Sequence, residues 1–84
     1  MLVRTALKEL WRQRLKDAEL RLVFARDYLK YIQREVPLGE IRNADGEYAY
    51  QQAYRAEIRA LGEFKRVLRI YTDLLVHGKL PDEG

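Results

Sequence analysis

The sequence predicts an all-α protein, an antiparallel helical hairpin of two long helices that pairs with a copy of itself into a homodimeric four-helix bundle. Three observations carry that expectation. Apolar residues from Trp11 to Val36 recur at steps of four and three, a broader apolar face runs from Tyr50 to Leu75, and helix-breaking residues cluster between them at Pro37 to Gly46.

The first helix is expected over about 3–36. Its seam is Trp11, Leu15, Ala18, Leu22, Ala25, Leu29, Ile32 and Val36, the spacing of a coiled-coil stripe. Ahead of Trp11 the phase slips: Leu7 and Leu10 are apolar where the seam would continue through Lys8 and Arg4, so the first two turns are expected to pack differently. A second stripe, Leu20, Val23, Phe24 and Tyr31, points away from the seam. It reads either as scattered surface apolars or as a patch for a partner.

The turn is expected over 37–46. Pro37 disfavours helical geometry at Val36, Gly39 permits positive φ, and Asn43 or Asp45 can accept hydrogen bonds from the free amides that open the next helix.

The second helix is expected over about 46–77, with a pattern of Tyr50, Ala53, Glu57, Ala60, Phe64, Val67, Tyr71 and Leu74 broadened by Tyr54, Leu61, Leu68 and Leu75. Such a face is wider than a two-stranded seam and calls for more than one neighbour. His77 in the last turn, Gly78 as a left-handed cap and Pro81 beyond it mark the end, with a polar tail over 79–84. Gly62 stands mid-helix, where glycine costs about 1 kcal/mol against alanine. It marks either a close backbone approach or a tolerated surface position.

In an antiparallel hairpin with this turn, facing positions sum to roughly 82, because the rise of an α-helix is constant. Leu29 then faces Ala53, Leu22 faces Ala60, Ala18 faces Phe64 and Trp11 faces Tyr71. Large residues meet small ones along most of the interface, as interdigitated packing requires.

A chain of 84 residues is one domain, and a core of that size is marginal unless disulfides, a metal or oligomerisation support it. Cysteine is absent, so the first support is missing. The 35% of charged and 48% of hydrophobic residues suit amphipathic helices and are too apolar for a disordered chain. The formal charge of +3 is a mild basic excess. Arg4, Lys8 and Glu9 interrupt the opening before any apolar stretch of secretory length, and no later run approaches a membrane span. A cytoplasmic location is expected, with no membrane partner.

Chemistry is sparse. Without serine or cysteine, and with a single histidine, the chain lacks the usual nucleophile and base. His77 falls in the last helical turn, where a cation complements the helix dipole. No Glu-x-x-His pair supplies a helix-bundle metal site. Asn43, Asp45 and Gly46 follow the alternation of a calcium loop, but Ile41 stands at the first ligand position and Gln52 at the last. No catalytic residue, metal ligand or cofactor is expected, and the chain does not read as an enzyme.

Glu57 breaks the apolar stripe of the second helix, with Arg21 and Arg26 within a turn of its layer. The expected role is a buried ion pair that fixes register, and the alternative is an acid lining a pocket. Tyr28, Tyr31, Tyr48, Tyr50 and Tyr54 gather at the hinge end near Arg26, Arg34, Arg42 and Arg55, a composition shared by binding surfaces.

The functional expectation is a non-enzymatic interaction or scaffold protein that self-associates through Tyr54, Leu61, Leu68 and Leu75, joined by Phe64 and Tyr71. The partner is a second copy of the chain, with another protein as the other candidate. The alternative is a small nucleic-acid-associated regulator using a basic first helix, Arg4, Lys8, Arg12, Arg14 and Lys16. Nucleic acid ranks behind, because those charges spread over several faces and no short recognition helix follows a tight turn.

Overall fold

The computed structural model describes residues 2–35 and 44–81. Helix α1 spans Leu2–Glu35 and helix α2 spans Ala44–His77, 34 residues each, and the two pack against one another as a helical hairpin. No strand occurs among the described residues. The hinge residues Val36, Pro37, Gly39 and Asn43, and the tail from Asp82, lie outside them. Ala44 is already helical, so Asp45 falls within the first turn of α2 and not at the cap position.

The seam expected of α1 is the buried face. Trp11, Ala18, Leu22, Leu29 and Ile32 are buried, and from α2 so are Ala53, Val67 and Leu74. These form two clusters. At the end away from the hinge, Trp11, Ala18, Val67 and Leu74 are packed by Leu7, Leu15, Phe64, Ile70 and Tyr71. At the hinge end, Leu29, Ile32 and Ala53 are packed by Ala49 and Tyr50. The companionship of Trp11 with Tyr71 and of Leu29 with Ala53 agrees with layers summing to roughly 82. Between the clusters Leu22 is buried, and on one rim the small side chains of Ala18, Ala25, Ala56 and Ala60 line a shallow groove.

The phase slip before Trp11 does not break the helix. Leu7 turns inward onto the Trp11 cluster while Leu10 stays 45% exposed, so α1 runs unbroken from Leu2 with one seam residue displaced. Arg14 lays its guanidinium over the Trp11 ring, 4.5 Å from the centroid. That contact covers the largest aromatic of the core and contributes on the order of 0.5–1 kcal/mol.

The end of α2 follows from its glycine. Gly78 takes φ of 62°, a left-handed conformation that is strained for residues bearing a Cβ, and it turns the chain back so that the Lys79 amide donates to the Asp73 carbonyl at 3.1 Å. Gly62 is different. It is exposed, and a Cβ built there meets nothing within 4 Å, so none of the described residues approaches it closely.

The two glycines therefore have opposite expectations. Gly62→Ala should stabilise the hairpin by about 0.5–1 kcal/mol through helix propensity, and Gly78→Ala should destabilise it by about 1 kcal/mol. Thermal melts of both variants check this, and a destabilised Gly62→Ala would show that another chain approaches the backbone there.

Candidate interaction surfaces

A helix in a two-helix hairpin has one neighbour, so its flanks stay in water. On α2 one flank is apolar. Tyr54, Leu68 and Leu75 are 51%, 41% and 47% exposed, with Leu61 half-buried beside them. Ile58, one turn from Tyr54 and also exposed, extends this flank and was not legible as part of it because it stands outside the heptad positions that define the seam. Tyr50 and Tyr54 stack with ring centroids 6.4 Å apart and planes 6° from parallel, which stiffens the hinge end of the flank. Phe64 and Tyr71, expected both in the seam and at the interface between copies, occupy the seam. They pack onto the Trp11 cluster and are half-buried within the hairpin itself.

The second stripe of α1 is solvent-facing throughout. Leu20, Val23, Phe24 and Tyr31 are all exposed, and Tyr28, four residues after Phe24, joins them. Phe24 is the extreme case at 70% exposure.

The ion pair expected as buried is not buried. Arg26 Nε lies 3.8 Å from Glu57 Oε1, beyond hydrogen-bond range, with the two side chains 49% and 27% exposed. No charged side chain is buried among the described residues. The physical reason is the single neighbour: a position on the rim of the seam keeps its outer side in water, and Arg26 reaches across that wet rim. Arg21 does not join this pair. It lies in the groove on the opposite rim with Glu63.

Glu63 is the better-held carboxylate. Arg66 donates to it twice, Nη2 to Oε1 at 2.7 Å and Nε to Oε2 at 3.1 Å. The hydrogen bonds from Arg66 hold the Glu63 carboxyl below its ordinary range, with the charges of Arg66 and Arg21 adding to the effect and partial burial opposing it. At the far end of α1, Glu9 accepts from Arg12 at 2.8 Å, and that bond lowers the Glu9 carboxyl and raises the Arg12 guanidinium. Arg12 is thereby tied down within the basic opening of the first helix.

The described residues hold no group of three or more His, Cys, Asp or Glu side chains placed to bind a metal ion. None of their helices is long and apolar enough to cross a membrane. His77 is exposed in the last turn of α2. No family model, curated protein or solved structure matches this chain.

A basic band escapes a reading by sequence runs. Arg55, Arg59, Arg66 and Arg69 follow the steps of four, seven and three that keep one helical stripe, with Gly62 filling the missing position. Hollows along that side of the hairpin share Arg21, Arg59 and Arg66 as lining residues, and Arg14 faces them from α1. The signal was present as helical spacing, but no two of these arginines are adjacent in sequence.

Two expectations follow from the carboxylates. Glu57→Leu should change stability by less than about 1 kcal/mol, the range of an exposed pair, whereas breaking a buried pair would cost about 3–5 kcal/mol; denaturant unfolding decides between them. Because the Glu63 carboxyl is depressed in the folded state, its contribution is present above the unfolded carboxyl value and fades as pH falls through the folded one. With Glu63 and Arg66 42% and 49% exposed, solvent screening keeps that contribution under about 1 kcal/mol. Melts of Glu63→Gln at neutral and acid pH should show a correspondingly smaller acid destabilisation than the wild type.

Proposed function

We propose that this chain is a non-enzymatic, cytoplasmic helical scaffold that works as a homodimer, two hairpins pairing through the apolar flank of α2 into a four-helix bundle. The observation that supports this most is surplus surface. A compact monomer of 10.0 kDa is expected to expose about 5,200 Å², whereas this chain exposes 6691 Å². The difference, about 1,500 Å², exceeds the roughly 800 Å² that each partner buries in a standard interface.

Shape supports the same reading. The radius of gyration is 17.6 Å within a rod of 58 × 19 × 17 Å, against about 12 Å for a compact domain of this length. The flank of Tyr54, Leu61, Leu68 and Leu75 lies along that rod at heptad spacing, so a two-fold axis can bring it against its own copy over the length of the helix. Phe64 and Tyr71 contribute from the rim of the core, where their outer edges would be covered by the second hairpin.

The expected outcome is a dimer by sedimentation at micromolar concentration. Leu68→Asp and Leu75→Asp should weaken association at least tenfold and lower helicity together with it, because an exposed charge there removes the cover of the α2 flank. A wild-type chain that stays monomeric, helical and cooperative on dilution would defeat this reading.

A further inference from the structure

The charge of the molecule is not spread evenly. The hollows along one side of the hairpin are lined by Arg14 and Arg21 from α1 and by Arg55, Arg59, Arg66 and Arg69 from α2, joined by Lys79 where the chain folds back past Gly78. The carboxylates lining them are Asp17, Glu63 and Asp73. The residues lining these hollows are thus seven basic against three acidic, a local formal excess of +4 (7 − 3). The α2 arginines span about 21 Å of helix at 1.5 Å per residue. Gly62 interrupts them with no side chain and with open space where one would stand.

Exposed aromatics stand on α1 beyond the rim that Arg14 and Arg21 occupy. Counting by sevens from Arg14 and Arg21 leads to Tyr28, and Phe24 and Tyr31 lie a turn to either side of it. All three rings are exposed. In the register summing to roughly 82, Phe24 and Tyr28 are level with Ile58 and Tyr54, and so with the neighbouring Arg59 and Arg55. Arg55 and Arg59 are thus level with the open rings, and Arg66 and Arg69 continue the band toward the pole away from the hinge. The Leu61 and Leu68 flank lies roughly 150° round α2 from Arg59 and Arg66, so a dimer formed through it leaves these two free, while Arg55 and Arg69 stand about 100° from their flank neighbours Tyr54 and Leu68.

We propose that this face binds single-stranded nucleic acid, with Arg55, Arg59, Arg66 and Arg69 on successive phosphates and bases stacked on Phe24, Tyr28 and Tyr31. The charged guanidinium plane suits phosphate by paired donors, and stacking on an open ring tolerates any base, so the binding is independent of sequence. Open rings beside arginines favour a single strand over a duplex, whose bases are already stacked. Arg66 gives two of its donors to Glu63, so it acts here chiefly as a positive charge beside the strand.

The test is fluorescence titration of the full chain with a labelled oligothymidylate at two or more salt concentrations. The wild type should bind with a logarithmic salt slope of about −3, since about 0.7 of a counterion is released per neutralised phosphate of a single strand. Arg55→Gln combined with Arg59→Gln should flatten that slope by about 1.4. Phe24→Ala combined with Tyr31→Ala should weaken binding about tenfold or more with the slope unchanged, and both side chains are exposed enough for the fold to survive, as circular dichroism would verify. Replacing Lys8 and Lys16 by Gln should leave the affinity within about twofold.

Three results would overturn the proposal. One is no binding at 50 mM salt. Another is equal affinity for the blunt duplex, for polyglutamate or for phosphatidylserine vesicles. The third is sensitivity to the Lys8 and Lys16 replacements without sensitivity to the arginine pair. Self-association is read separately by sedimentation, so failure of either reading leaves the other standing.

Discussion

Everything in this structure depends on the fact that each helix has one neighbour. Two cylinders touching along a line bury a single stripe apiece, so the buried set among the described residues is small: Trp11, Ala18, Val67 and Leu74 toward one end, Leu29, Ile32 and Ala53 toward the other, and Leu22 between. A third helix would have buried the flanks as well. Its absence from the described residues means that every non-seam position is decided by contact with water, with a rim side chain, or with something outside the chain. The exposure of Phe24 and the half-exposure of Leu68 come from the same geometry that leaves Glu57 wet.

Small residues on one rim set how its charged edge behaves. Where Ala18 and Ala25 meet Ala56 and Ala60, side-chain bulk is too slight to fill the space between the cylinders, and a groove opens on one side with arginines at its edge. Trp11 and Tyr71 pack toward one end and the Tyr50–Tyr54 stack stands toward the other, with Leu22 buried between the two clusters. Short-range pairs such as Glu63 with Arg66 stay within one helix and hold their neighbours upright more than they tie α1 to α2.

The seam and register were legible because they depend on spacing alone. An alternation of four and three leaves little freedom over seven residues, and the size match of Leu29 with Ala53 fixes the slide of one helix along the other. What was illegible depended on the number of neighbours. Reading Glu57 as buried assumed a covered rim. The arginine band was missed for another reason: charges were read along the chain, as in the basic opening of α1, whereas Arg55 and Arg69 belong to one surface only after winding the helix. Ile58 illustrates the same point for apolar residues. The hinge residues 36–43, Asn43 among them, lie outside the described residues, while Asp45 falls inside the helix it was expected to cap.

The equal lengths of α1 and α2 have a consequence for the molecule as a carrier. Both helices begin or end at the pole away from the hinge, where Arg4 approaches Gly78. Anything joined to either terminus leaves from that one pole, and the rod extends up to 58 Å from it. The hairpin is thus a polar strut, able to hold a tethered object at one end while its sides remain available along the whole length. A chain of odd helix number would place its termini at opposite poles and act as a spacer instead. This one folds back, so whatever it joins, it joins side by side.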